Sequence, residues 1–286
     1  MKSKFTNPSI TLTSYAKVNI GLEVLRRASD GYHTIKTILQ TIDLEDKITF
    51  SLDTDLILDE SGFANFGDEN LILQTARLLQ KTTNCKQGAR IQLKKNIPVS
   101  AGLGGGSSNA ATTLMGLNRL WGLQLNQDAL HKLALTLGSD VPFFLYGGAA
   151  LAEGRGESIT PIPSIRSRRL LLVCPKNTIP AKTKTMFSSL QQRHFSSGQR
   201  IAKLATKLAS GEQDIGSLYN TFNNLALEIF PGQQEAIDAF KKSGAENISL
   251  SGTGPSIFTI TNNNNSATIM DQMHRKGFHT YIATTL

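Results

Sequence analysis

Residues 98–111 read Pro-Val-Ser-Ala-Gly-Leu-Gly-Gly-Gly-Ser-Ser-Asn-Ala-Ala, with four glycines in the five positions 102–106. Glycine loses more conformational freedom on folding than any other residue, so such density is costly unless a bare main chain is needed. A strand pattern precedes it, in which Ala89, Ile91 and Leu93 alternate with Arg90, Gln92 and Lys94. A helix pattern follows over 107–121, and its first residues Ser107, Ser108 and Asn109 are all good caps. Glycines let N–H groups converge on an anion, and a helix amino terminus adds unpaired donors and partial positive charge. The stretch therefore reads as a phosphate cradle. A tight strand-to-helix turn without a ligand is the plainer alternative.

Spacing narrows the kind of cradle. Gly106 is followed by Ser107 rather than by Lys-Ser/Thr, which excludes a Walker loop. After Gly102 and Gly104 the third dinucleotide-binding position holds Ser107 instead of glycine. The protein-kinase Val-Ala-Ile-Lys strand and His-Arg-Asp loop are both missing, which excludes a protein kinase. The histidines form no HExxH, the cysteines no CxxC, and there is no Gly-x-Ser-x-Gly elbow.

Four further stretches carry chemistry. In Ser-Tyr-Ala-Lys-Val-Asn-Ile-Gly-Leu (14–22), Leu12, Ala16, Val18, Ile20 and Leu22 share one strand face, and Tyr15, Lys17 and Asn19 the other. A lysine in an apolar strand is expensive unless it meets an anion, although an edge strand also uses lysine against aggregation. In Gly-Ser-Asp-Val-Pro (138–142), Asp140 follows a helix stop and precedes an apolar run, as a site carboxylate or a turn residue would. Tyr32 and His33, after Asp30-Gly31, suit a flat heterocycle or a packed turn. The turn Ser-Gly-Thr-Gly-Pro (251–255) is weak alone, since hairpins use such residues routinely.

Strands are further expected at 35–39, 47–52, 170–174, 247–250, 256–260 and 278–284. Helices are expected from about Asp68, over 127–137, 201–208 and 220–229, from Pro231 to Gly244, and over 266–275. Residues 262–265, all asparagine, read as a surface turn. This order suggests α+β layers with a boundary between 159 and 176. The 30 lysines and arginines against 22 aspartates and glutamates give a net charge of +8, which suits nucleic acid or a phosphorylated small molecule. The positive residues form no block of five or six. The apolar runs fall short of the roughly 18 to 20 residues of a membrane span, and the first ten residues show no secretory pattern. With only Cys85 and Cys174, the expected compartment is the cytoplasm.

Taken together and in this order, the stretches resemble the GHMP small-molecule kinases, whose hallmark is a Pro-x-x-x-Gly-Leu-Gly-rich-Ser-Ser loop. An amino-terminal Lys/Asn strand and a late Gly-x-Gly turn complete the likeness, which runs from about Thr11 to the last strand. No motif position departs from the pattern; residues 188–216 carry no matched motif. The resemblance implies an α+β, two-domain GHMP kinase fold. An ATP-binding, ribosomal S5-like domain (1–165) would hold a left-handed βαβ crossover, against the usual hand. A ferredoxin-like domain (166–286) would follow, with substrate between the two.

ATP is implied on Pro98, Val99, Ser100, Ala101, Gly102, Leu103, Gly104, Gly105, Gly106, Ser107 and Ser108. Within the family, the Gly31-Tyr32-His33 triplet and the triple glycine before paired serines are similar to one branch. That branch phosphorylates the 2-hydroxyl of a methylerythritol bearing a cytidine diphosphate, in the non-mevalonate isoprenoid pathway. The resemblance implies that Lys17 stabilises the transferring group and keeps Asp140, the base, ionised. Tyr32 and His33 would hold the cytosine with Phe187 as the opposite stacking face. Asn19 would lie near the diphosphate or hydroxyl, and Thr183 is a further candidate. Mg²⁺ is expected with ATP; no protein ligand is assigned, and Ser107 and Ser108 are the contacts to consider. Homoserine, mevalonate or a galactose-type sugar is the rival acceptor, and a nucleic-acid-binding module the rival class. The implied partners are a small cytidyl diphosphate, no nucleic acid and no membrane, for a monomer or homodimer.

Overall fold

The computed structural model describes residues 9–62, 70–175, 179–261 and 265–286. The expected turn at 262–265 and the helix start at Asp68 thus fall outside the described residues, apart from Asn265. The chain folds as two compact units, each assembled from separate stretches. One takes Met1–Tyr15, Glu45–Val99 and Gly105–Leu145, and the other Ala16–Leu44, Ser100–Gly104 and Tyr146–Leu286. Strands β1 (Ser9–Arg27) and β2 (His33–Asp53) contribute to both. β2 merges the two strands expected at 35–39 and 47–52. Among the polar residues between them, buried Gln40 accepts from Ile165 N at 3.0 Å and donates to the Leu286 carbonyl at 2.7 Å.

In the first unit, β4 (Gly88–Lys95) pairs antiparallel with residues 47–53 of β2 and parallel with β3 (Leu56–Gly62). Helix α1 (Leu71–Thr83) connects that parallel pair, and Asn70 caps it by accepting from Ile72 N at 2.9 Å. Helices α2 (Gly105–Leu120) and α3 (Gln127–Leu137) follow, α3 over its expected span. Ile48, Phe50, Ile72, Leu79, Ile91, Leu114 and Leu117 are fully buried here. Gly116 lets α2 come close, since a Cβ there would collide with the Phe50 ring.

In the second unit, β1 lies between β2 and β8 (Tyr219–Asn220), while β5 (Ala149–Gly154) bridges β2 and β6 (Ser158–Ile162). A second sheet takes β7 (Arg169–Cys174), β9 (Ser249–Leu250), β10 (Ile257–Thr261) and β11 (His279–Thr284), in the order β11-β7-β10-β9, all antiparallel. Helices α4 (Lys182–Ser188), α5 (Gln199–Ala209), α6 (Asn223–Ile229), α7 (Gln233–Lys242) and α8 (Ser266–Arg275) complete it. Leu171, Val173, Phe222, Phe240, Ile269 and Met273 share one core, and each large apolar side chain stabilises by about 1.5–3 kcal/mol relative to exposure. Three helix starts differ from expectation, α5 by beginning at Gln199. Asn220 is a strand residue whose side chain accepts from Phe222 N at 3.0 Å, so α6 begins later. Gly232, not Pro231, stands immediately before α7.

Candidate active site

Residues 95–97 approach the glycine loop through a buried ion pair. Lys95 Nζ lies 2.5 Å from Asp46 Oδ2, and Asp46 Oδ1 accepts from Asn96 N at 2.7 Å and Ile97 N at 2.8 Å. Burial pushes the Lys95 ammonium below its ordinary value, and the Asp46 carboxylate opposes that shift. A Cβ on Gly105 would come within 2.9 Å of Ile97 Cγ2 and 3.0 Å of Lys95 Nζ, so the chain passes close only without one.

The loop alternates in backbone sign. Ser100, Gly102 and Gly104 have φ of +55°, +83° and +71°, whereas Ala101 and Leu103 between them do not have positive φ. Such alternation turns successive N–H groups toward one concave side. The carbonyls are tied down on the other. Leu103 O accepts from Lys17 N at 2.9 Å, Gly102 O from Ser251 Oγ at 2.9 Å, and Ala101 O from Ser256 N at 3.3 Å. Among the described residues, no acceptor takes the N–H of any residue from 100 to 106. Helix α2 starts at Gly105, two residues earlier than the caps suggested, so Ser107, Ser108 and Asn109 form its first turn. Ser108 and Asn109 are buried there, within 2.7 Å of Ser14 Oγ, while Ser107 is half-buried.

Lys17 and Asn19 are each 3 % exposed, so the polar face of β1 is buried as well. An edge-guarding lysine stands in solvent, whereas Lys17 is buried and its N–H is taken by the Leu103 carbonyl, so the edge-strand explanation for Lys17 falls away. Lys17 Nζ donates to Asn19 Oδ1 at 2.7 Å, Asn19 Nδ2 to Thr37 Oγ1 at 2.8 Å, and Thr37 Oγ1 to the Gly21 carbonyl at 2.6 Å. Lys17 Nζ, Asn19 Oδ1 and the Gly102 carbonyl all come within 3.4 Å of where a Gly252 Cβ would sit. The second glycine turn thus packs against both the lysine and the first loop. Asn220 Nδ2 braces it through Leu250 O at 3.0 Å and Gly252 O at 2.8 Å. Thr183 joins through Thr253 (3.5 Å between hydroxyls), and Lys182 Nζ donates to the Gly254 carbonyl.

Asp140 stands in the first unit, half-buried, in the turn closed by Val141 N to Gly138 O at 3.2 Å. The buried single turn Pro142–Leu145 follows and anchors it. In the second unit His33 packs 5.4 Å from Phe187 and 5.8 Å from Phe195, and Phe187 meets Phe222 edge-on at 5.0 Å. Burial first, then the nearby Arg27 charge, holds His33 below its ordinary value, so the ring is neutral at pH 7. Tyr32 is 58 % exposed beside it. Phe195, Lys182 and the Lys95–Asp46 pair were not singled out from sequence. Phe195 lies in the stretch without a motif, and Lys95 and Asp46 are distant along the chain.

Among the described residues no group of three His, Cys, Asp or Glu could hold a metal, and no helix is long and apolar enough to cross a membrane. A family model described as GHMP kinases N terminal domain matches residues 70–148, and one described as GHMP kinases C terminal matches 196–279. A protein of Dehalococcoides mccartyi named 4-diphosphocytidyl-2-C-methyl-D-erythritol kinase is 36 % identical over 279 residues, 97 % of this chain and 98 % of that one. One of the same name from Listeria welshimeri is 39 % identical over 256 residues, covering 88 % and 87 %. A crystal structure of 4-(cytidine 5'-diphospho)-2C-methyl-D-erythritol kinase aligns with a TM-score of 0.81 at 30 % identity, over 96 % and 99 % of the two chains. Methanococcus jannaschii mevalonate kinase (TM-score 0.73, 16 % identity, 99 % of both chains) shares the fold. A glycine loop with unpaired amides, a buried lysine bound to it and two family matches in the right order agree: the chain belongs to the GHMP kinases, a family of phosphotransferases.

Proposed function

We propose that this chain transfers the γ-phosphoryl group of ATP to the 2-hydroxyl of 4-diphosphocytidyl-2-C-methyl-D-erythritol, within the non-mevalonate route to isoprenoids. The observation that carries the phosphoryl-transfer reading is the loop at 100–106, with its carbonyls pinned from behind and its N–H groups unclaimed. The acceptor is supported by the names of the relatives and by the aromatic groups at Tyr32, His33 and Phe187. We assign the domains as 1–165 and 166–286, a division that leaves one family match on each side.

Phosphoryl transfer asks a protein to align two oxygens and to neutralise spreading charge. In this reading the N–H groups of 100–106, with the amino terminus of α2, hold the polyphosphate. Lys17, fixed by Asn19 and by its own N–H to Leu103, offsets charge on the moving group. Asp140 accepts the hydroxyl proton. Asn19 and Thr183 border the acceptor, and the neutral His33 ring can both donate to and accept from a cytosine edge. A Mg²⁺ accompanying ATP would supply charge screening, and the described residues offer it hydroxyls rather than a carboxylate cluster. Ser107 is the hydroxyl available to it, because that of Ser108 is turned toward Ser14.

The test is ADP release across a panel of alcohols: the cytidyl methylerythritol, homoserine, mevalonate and galactose. Turnover with the cytidyl alcohol alone, competed by CMP, is the expected result. Turnover with another alcohol that ignores CMP overturns the acceptor.

A further inference from the structure

Arg155 stands in the turn between β5 and β6, where Glu157 Oε2 accepts its N–H at 2.5 Å. From there its guanidinium carbon lies 3.9 Å from the centroid of the Tyr32 ring. Arg155 Nη2 also meets Asp30 Oδ2 at 2.5 Å, and Asp30 Oδ1 accepts the Tyr32 N–H at 3.0 Å. The contacts close a circuit: Arg155 on the ring of Tyr32, Asp30 on Arg155, and Asp30 on the main chain of Tyr32. The Tyr32 N–H and the Arg155 charge both favour the ionised form of Asp30 and hold it below its ordinary value.

A tyrosine 58 % exposed has little apolar packing to fix its ring. Here a flat cation lies over the ring, an arrangement favoured by the ring quadrupole, while the residue keeps more than half of its surface open. Resting on the reading of Tyr32 as the cytosine platform, we propose that Arg155 is a positioning residue for the acceptor. It sets the Tyr32 ring before the base arrives, so the base stacks on the face away from the guanidinium. Ordering a side chain before binding removes that cost from the binding step. Nothing in the sequence marked Arg155, which lies in a β-turn distant from the triplet it serves.

Arg155→Ala is expected to raise the KM for the cytidyl alcohol about threefold to tenfold, with kcat and the ATP KM within about twofold. Arg155→Lys keeps the charge but not the flat stack, and should fall between. Inhibition constants for cytidine and CMP should rise in Arg155→Ala by the same factor, because the effect acts on the base. In a Tyr32→Ala background the Arg155 substitution should add nothing. Weakening of CMP with cytidine unchanged would mean that Arg155 binds phosphate directly, and overturns the proposal. A full effect in the Tyr32→Ala background also overturns it, as does an unchanged KM in Arg155→Ala while Tyr32→Ala still raises it. If Tyr32→Ala itself leaves the cytidyl KM unchanged, the platform reading fails, and this proposal with it.

Discussion

Within the second unit, the loop at 100–104 and the cluster around His33 are built from different material. The loop presents main chain: positive φ at Ser100, Gly102 and Gly104, three carbonyls fastened and the amides left outward. The cluster presents side chains: His33 between Phe187 and Phe195, Phe187 against Phe222, and Tyr32 exposed beneath Arg155. A surface of amides reads charge and is indifferent to what the phosphate is attached to. A surface of rings reads shape and hydrogen-bonding edges. In this family reading, the donor end is generic and the acceptor end carries the choice of substrate.

The largest effect should come from the side-chain chemistry that neither surface supplies. Asp140→Asn should lower kcat about 10²- to 10⁴-fold while ATP binding, read by titration calorimetry, stays intact. Near-normal turnover would remove Asp140 from the reaction. Next comes Gly102→Ala. A Cβ there runs into the Ser251 carbonyl and lies 2.9 Å from that of Gly254, so the two glycine turns must part. A displacement of that order should lower kcat/KM about 10²-fold, and equally for any phosphoryl acceptor. An acceptor-selective loss would show that the two ends are less separate than their construction suggests.

The same difference governs what could be read from the sequence. A main-chain site leaves a compositional trace, because the glycines it needs must appear together, and residues 102–106 announced themselves. A side-chain site gathers residues from distant places. Phe195 sits in a stretch without a motif, and Arg155 is more than a hundred positions from Tyr32. Periodicity found β1, β4, α3 and α8, since each buries a clear face. It did not show that the Lys17 and Asn19 face of β1 is buried as well, because alternation of residue type records a difference between faces and not what packs on each. It passed over β3, whose Asp59 and Glu60 break the apolar pattern, and β5, whose alanines carry little strand signal. Ser107 to Asn109 looked like caps, yet α2 begins at Gly105, a position where the close approach of Ile97 and Lys95 leaves no room for a Cβ.

A smaller, selective effect should mark the ring surface. Tyr32→Ala should raise the KM for the cytidyl alcohol about tenfold, the loss expected for one stacked base, while the ATP KM moves by less than about twofold. Equal changes in both constants would mean that Tyr32 supports the unit as a whole rather than the base.

The smallest effect is also the sharpest test of the main-chain surface. Gly106 is exposed, and a Cβ on it would meet only Leu71 Cδ1, at an ordinary 3.6 Å. Folding therefore does not require glycine at 106, and alanine is the better helix former by up to about 1 kcal/mol. Gly106→Ala should melt at the same temperature or higher. If polyphosphate lies against the amide at 106, the added methyl nonetheless obstructs it, and the ATP KM should rise about threefold with kcat little changed. Stability and nucleotide affinity would then move in opposite directions in one variant, which a packing role for the glycine cannot produce. An unchanged ATP KM with a raised melting temperature would end the cradle at Gly105 and leave the phosphate to the amides between 100 and 105.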